Sequence, residues 1–305
     1  MEYSLYTLEH MKKTVALSAC EFRGLIRAFE LSKYLYELEI AFDHVVENYY
    51  EVEIAQLQTA TRYMMDASYD PEWTYYEFLK NARQLMNFLS TAMSYKEQRR
   101  KIAIILSAGE EARLKELRNF RESLEKEYLS FRFMEKLRNH AQHFHPPMRS
   151  MIVSHSRVDD DEGQDLQTTL SPFVHVQDLK DDPEFPNYLI DEVKPIKGKI
   201  YINPHLKVYM SCLGKIQDAF RDHFKDQQDF VVKTQSDARE KYFNHYERED
   251  DLIFMVSSFD GDTYPETRYF PARADKHRER LREKNRRLSN IDRQFVTTRL
   301  KRKNN

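Results

Sequence analysis

Between Arg138 and His145 the chain places an arginine, an asparagine and three histidines, at Arg138, Asn139, His140, His143 and His145, with Pro146 and Pro147 directly after them. Histidine titrates near neutral pH, so it can take or give a proton under ordinary conditions. Arginine offers a planar fork of N–H donors that matches phosphate oxygens. Together they suit cleavage of an RNA phosphodiester. The histidine takes a proton from a ribose 2′-hydroxyl or gives one to the departing oxygen, and the arginine stabilises the charge that builds on phosphorus-bound oxygen. That chemistry requires no metal and no other cofactor, and none is expected.

Helical spacing sorts these residues. Steps of four bring side chains nearly above one another, so Glu135, Asn139 and His143 form one row. Arg138 precedes His143 by five residues, about 140° around an ideal helix. The two can meet over a groove, or across a two-fold axis where one protomer's arginine faces the other's histidine. Arg138 is then the charge-stabilising group and His143 the general acid or base, while Asn139 orients that histidine or holds a phosphate. Three residues support them: Glu135, paired with Arg132 or Arg138; His140, packed against the bundle or donating to a carbonyl; and His145. A plainer reading makes the set a polar helix end, since Arg and His favour the negative end of the helix dipole. A metal reading joins His140 and His143, three residues apart, to His145, His155 or His175. No H-E-x-x-H and no cysteine pair accompanies them.

Arg138-Asn139-His140-Ala141-Gln142-His143 resembles the motif of the HEPN superfamily: arginine, a polar residue that is often asparagine, a short spacer, then histidine. The wording Leu-Arg-Asn-His-Ala-Gln-His is also similar to uncharacterised bacterial HEPN-like proteins with the motif before a proline-containing turn. The resemblance implies an all-α bundle with the motif on a helix. It implies a metal-independent endoribonuclease that leaves 2′,3′-cyclic phosphate or 3′-phosphate ends and 5′-hydroxyls. It implies a homodimer whose interface joins two motifs in one cleft, with Arg138 stabilising phosphate, Asn139 as polar companion and His143 as acid/base. Toxin–antitoxin or antiviral defence biology is implied with it. A ribonuclease loose in a cell would harm its host, so a protein inhibitor or activator is expected. The rival readings are a non-catalytic HEPN-like helical adaptor and a metal-dependent hydrolase built on the histidines.

The elements that must position the motif are mostly helical. Residues 1–145 hold one proline, Pro71, and two glycines, Gly24 and Gly109, too few breakers for anything but long helices. Leu25, Phe29, Leu38, Phe42, Val45 and Tyr49 recur at helical spacing. Asp70-Pro71 is an N-cap with proline at the first helical position. Ser107 and Glu110 read as a capping box opening a helix over 110–145 that carries the motif. After Pro147, residues 151–158 and 167–179 flank a polar turn and read as a β-hairpin. Residues 180–202 are a proline-containing connection. Asn203-Pro204 opens another helix, 231–247 reads as a polar helix, and 251–259 as a short strand. The expected organisation is a helical bundle over 1–148, the hairpin and connection over 149–202, completing helices over 203–248, and a strand with a basic helical arm over 249–305. The fold class is mainly α.

Charge is divided unevenly. The 305 residues carry a net charge of −2, yet Lys276–Asn305 holds 12 Lys/Arg against 3 Asp/Glu, leaving 36 against 47 elsewhere. A basic arm therefore accompanies an acidic body. Lys276, Arg278, Arg280, Arg282, Arg286 and Arg287 either bind RNA phosphates or pair with acidic stretches of the same chain such as 159–165. The paired tyrosines, including Tyr49, Tyr50, Tyr75 and Tyr76, either stack on bases or, as packing favours, fill the core with their hydroxyls at its rim. Two cysteines, Cys20 and Cys212, are too few for a disulfide framework. With no run of about 18 apolar residues and no apolar signal core in the first 13 residues, a cytoplasmic, non-membrane protein is expected.

Overall fold

The computed structural model describes residues 1–66, 70–160, 163–249, 252–261, 266–269 and 272–296. The chain is mainly helical with two small antiparallel sheets. It divides into two compact units, each assembled from separate stretches: residues 1–43, 94–117 and 219–285 in one, and 44–93, 118–218 and 286–305 in the other. No helix among the described residues is long and apolar enough to cross a membrane.

The first unit opens with two strands where the scarcity of breakers predicts helix. Strand β1 (Glu2–Thr7) pairs with β2 (Val15–Leu17), and the first helix, α1 (Ala19–Met65), starts only after them. A true capping box begins that helix: the Ser18 amide and hydroxyl both donate to the Glu21 carboxylate at 2.7 Å, and the Glu21 amide donates back to Ser18 Oγ at 3.2 Å. Helix α2 (Pro71–Leu106) starts as predicted, with the amides of Glu72 and Trp73 donating to Asp70 Oδ1 at 2.9 and 3.2 Å. Ser107 does not cap the next helix. It ends α2, followed by Ala108 at φ 48° and Gly109 at φ 84°, and among the described residues its buried hydroxyl makes no hydrogen bond. Glu110 instead reaches Arg113 at 3.0 Å.

The helix predicted over 110–145 is two helices, α3 (Glu111–Glu127) and α4 (Leu129–His143). Tyr128 between them is extended, at φ −110° and ψ 101°. The hairpin forms, from β3 (Ser150–Asp160) and β4 (Gly163–His175), and residues 161–162 of its turn lie outside the described residues. β4 stops at His175, short of the predicted 179, because Val176–Lys180 winds into α5. The connection beyond is ordered. It holds α6 (Asn187–Val193) and β5 (Lys199–Tyr201), which pairs with the base of β4. Helices α7 (Ile202–His223) and α8 (Lys225–Phe243) follow.

Strand β6 (Phe254–Phe259) joins β1 in register, Leu5 opposite Val256, and β7 (Glu266–Tyr269) completes a sheet of order β2-β1-β6-β7. Leu5, Val15, Leu25, Tyr242, Phe254 and Val256 pack beneath that sheet as the core of the first unit. The predicted basic arm is helix α9 (Ala272–Lys284) and a 3-10 turn over Leu288–Arg293, while its residues 297–305 lie outside the described residues. The arm is not simply solvated. Arg278 is buried, and its Nη1 lies 3.2 Å from Asp275, which accepts from Ser32 Oγ at 2.9 Å. Lys284 and the buried Asn285 both donate to Asp43, at 2.7 and 2.9 Å. Within this unit a buried ion pair also ties α7 to α1: Arg221 donates from Nε and Nη2 to both oxygens of Glu39, at 2.9 and 2.6 Å.

Candidate functional site

Helix α4 is amphipathic in a way that settles where its chemistry faces. Phe131, Phe133, Met134, Leu137 and Ala141 are buried on its core side. Phe131 meets Tyr209 of α7 at 5.4 Å between ring centres, and Phe133 meets Phe185 edge-on at 6.2 Å. A second stripe, Lys136, Asn139, His140 and His143, recurs at intervals of three, one and three residues and so shares one face. That stripe lines a cavity of about 380 Å³. Its other wall is Asp182–Phe185, the turn between α5 and α6. The helix stops where the Phe144 and His145 amides both fold back onto the His140 carbonyl, at 2.9 and 3.2 Å, ahead of Pro146.

The most constrained group in the cavity is His140, which the sequence placed in a supporting role. Its side chain is fully buried. Its Nδ1 donates to Asp182 Oδ2 at 2.8 Å, and its Nε2 is buried without a hydrogen-bond partner among the described residues. Asp182 is itself held by the Glu184 amide, which donates to Oδ1 at 2.9 Å. Burial works to raise the Asp182 carboxyl, but hydrogen bonds from His140 and the Glu184 amide, with the nearby imidazoles of His140 and His143, hold it below the usual carboxylate range. An ionised Asp182 only accepts, so the contact assigns a proton to Nδ1. Asp182 was not singled out from the sequence. It lies 42 residues from His140 in a connection with no motif of its own. The one signal that could have pointed to it is indirect: a histidine buried on its helix needs a buried polar partner.

The predicted set is partly brought together. Asn139 and His143 line the cavity and His143 is exposed. Arg138 is not on the cavity wall: its Nη1 donates to Gln142 Oε1 at 2.7 Å and its Nη2 lies 2.9 Å from the Met93 sulfur. Of Arg138 and His143, only His143 lines the cavity. Glu135 leaves the row it shares with Asn139. It accepts from Tyr209 Oη at 2.6 Å and lies 3.6 Å from Arg121, while Arg132 pairs with Glu192 at 2.8 Å. Burial and the adjacent Glu135 carboxylate push the Tyr209 phenol well up, so it stays a donor. His145 rests edge-on against Phe144 at 4.8 Å and 6.0 Å from His140. His155 bonds Thr168 on the hairpin at 2.9 Å and His175 packs on Phe173 at 5.0 Å. Among the described residues no three His, Cys, Asp or Glu side chains are placed to share a metal ion.

The basic residues of the arm divide. Arg278 is buried and Arg282 donates to Gln228 at 2.5 Å, whereas Lys276, Arg280, Arg286 and Arg287 are exposed. The acidic segment 159–165 proposed as their partner lies outside the residues whose side chains are described. A larger apolar groove of about 570 Å³ is walled by Tyr50, Leu57, Leu170, Ile291, Phe295 and Val296. Its titratable lining residues are Tyr49, Tyr50, Glu53 and Lys207, with no histidine among the lining.

Compared with protein-family models, curated proteins and solved structures, the chain matches none of them.

Proposed function

We propose that this chain is a HEPN-like, metal-independent endoribonuclease whose active site is the cavity on α4. The observation that carries the reading is that Asn139 and His143 of the motif share one helix face with Lys136 and line the same cavity. Lys136 supplies a cation for phosphate, His143 an exposed proton carrier, and Asn139 an amide that reaches either. Phe144 and Phe185 add aromatic surface of the kind that stacks an unpaired base. Arg138 would complete the site from a second protomer, as the resemblance implies for a homodimer. Regulation by a protein inhibitor or activator, in a toxin–antitoxin or antiviral setting in the cytoplasm, belongs to the same reading.

One observation favours a second reading, a non-catalytic helical adaptor. The Arg138 guanidinium is occupied by Gln142 and Met93. Incubation of the purified protein with several RNAs, with and without EDTA, separates the two. Cleavage that persists in EDTA and is lost in both Arg138→Ala and His143→Ala supports the ribonuclease. Intact RNA under every condition supports the adaptor, and cleavage that EDTA abolishes and zinc or manganese restores sinks the metal-free mechanism.

A further inference from the structure

We propose that the cavity holds a second proton-transfer group: His140 is a catalytic residue that takes the proton from the ribose 2′-hydroxyl, and Asp182 is the positioning residue that aims it. The inference rests on the ribonuclease reading and deepens it, for it makes His143 the acid and assigns the base to a residue the motif resemblance leaves without a role.

Three observations meet on His140. The first is that its ring is fixed. Asp182 holds Nδ1 at 2.8 Å, the Glu184 amide holds Asp182 at 2.9 Å, and Phe144 and Phe185 stand 5.6 and 6.1 Å away between ring centres. A histidine anchored this way through Nδ1 presents Nε2 as a proton acceptor, and the carboxylate stabilises the imidazolium that forms. The second is that Nε2 is buried and has no hydrogen-bond partner among the described residues. Burying an unpaired polar atom is costly, and native interiors rarely tolerate it without a reason. His140 lines the cavity but Nε2 is closed off from solvent, so a substrate hydroxyl must part the wall over it to become the missing partner. The third is that His140 and His143 occupy one helix face three residues apart and line one space. Acid and base can then act on opposite sides of a phosphorus in a cavity whose size lies within the roughly 300–1,000 Å³ of small-molecule sites.

The step balances. Nε2 of His140 accepts the 2′-hydroxyl proton as the 2′ oxygen bonds to phosphorus. The bond from phosphorus to the 5′ oxygen breaks, and an imidazolium at His143 protonates that leaving oxygen. The products are a 2′,3′-cyclic phosphate and a 5′-hydroxyl, with one proton gained at His140 and one lost at His143. Lys136 stands on the same face to meet the phosphoryl oxygens. The charged and titratable groups that face His140 across the site are Asp182, Glu184, Lys136, His143 and His145.

The test compares the full-length wild type with Asp182→Asn, His140→Gln and His143→Gln in EDTA, each checked for a wild-type thermal transition. Two RNAs are used: a short single-site RNA, and the same RNA with sulfur in place of the scissile 5′ oxygen, a leaving group that needs no acid. The expected result on normal RNA is a bell-shaped pH–rate profile for the wild type and losses of about 100-fold or more in kcat for either histidine variant. Asp182→Asn should lower kcat by about tenfold or more, leave KM nearly unchanged and move the rising limb of the profile. The sulfur substrate should rescue His143→Gln and not His140→Gln. If folded His140→Gln and Asp182→Asn cleave at wild-type rates with an unchanged profile while His143→Gln is dead, His140 is structural and the proposal falls, but the ribonuclease reading stands. Rescue of His140→Gln by the sulfur substrate overturns its assignment as base. If His140→Gln does not fold, the limb shift in Asp182→Asn decides, and its absence overturns the proposal. A wild type that cuts no RNA overturns both.

Discussion

Gly214, in the middle of α7, is where the structure makes its sharpest stability prediction. A Cβ built there would stand 2.8 Å from the Leu288 carbonyl carbon, 2.9 Å from the Ser289 nitrogen and 3.1 Å from the Leu288 oxygen. All three are backbone atoms, so no side chain can swing aside. Two effects oppose each other in Gly214→Ala. Alanine favours the helix by about 1 kcal/mol. Against it, overpacking against fixed backbone costs about 1–3 kcal/mol. Pushing the 3-10 turn away also weakens the bond from Ser211 Oγ to the Ser289 carbonyl at 2.7 Å, a net loss of about 1 kcal/mol. The expected balance is a destabilisation of roughly 1–3 kcal/mol, read as a lower urea midpoint at unchanged slope. Gly24, also inside a helix, is the control, because a Cβ there meets no atom of the described residues within 4 Å. Gly24→Ala should stabilise by about 0.5–1 kcal/mol. A Gly214→Ala protein as stable as the wild type, or stabilised as much as Gly24→Ala, would refute the reasoning.

Two further outcomes are expected of the first unit. Arg221→Met should cost about 3–5 kcal/mol in denaturant melts, since it leaves the buried Glu39 carboxylate without its two-pronged donor, and Arg221→Met combined with Glu39→Leu should recover most of the loss; a double variant as weak as the single would show that packing, not charge, matters there. Glu21 is held at about 2 by the bond from Lys241, then by the Ser18 amide and hydroxyl. Its folded-state value is depressed, so its contribution is present above about 4.5, its ordinary value, and is lost as the pH falls toward about 2. The side chain is 43% exposed, so solvent screening reduces the effect to about 1 kcal/mol. The stability gap between wild type and Glu21→Gln should close between pH 5 and pH 2.5, and a gap that stays constant over that range contradicts the assignment.

Local signals in the sequence located much of this architecture, and long-range pairing hid the rest. Asp70-Pro71 begins α2 as read because an N-cap is decided within four residues. The same capping rule misfired at Ser107, because it cannot see that Ala108 and Gly109 adopt positive φ and turn the chain out of α2, whereas Ser18-Ala19-Cys20-Glu21 fits the same pattern and does cap α1. β1 was missed although β2 pairs with it nearby, because residues 8–14 between them, LEHMKKT, carry no glycine, proline, asparagine or aspartate to signal a turn, and its other partner β6 lies about 250 residues away. Tyr128 keeps the apolar spacing of α3 and α4 unbroken, so periodicity reads one helix across a residue that is extended. At the site, the motif put Asn139 and His143 on one face, which spacing can do. It missed Asp182, and it ranked His140 behind His143, because burial and the contact to Asp182 arise only when the α5–α6 turn closes over α4.

The anchoring of α9 changes how the basic arm can be studied. Arg278, Lys284 and Asn285 fasten it to its own unit through Asp275 and Asp43, and the turn beyond it presses on Gly214. Deleting the arm to ask whether it recruits RNA would also pull out these fastenings, so lost binding and lost folding would arrive together. Raised salt has the same double meaning, since it screens phosphate contacts and these internal pairs alike. The positive charges that can be neutralised with least disturbance are the exposed ones, Arg280 and Arg287. Single substitutions there ask about nucleic acid without also asking the protein to survive.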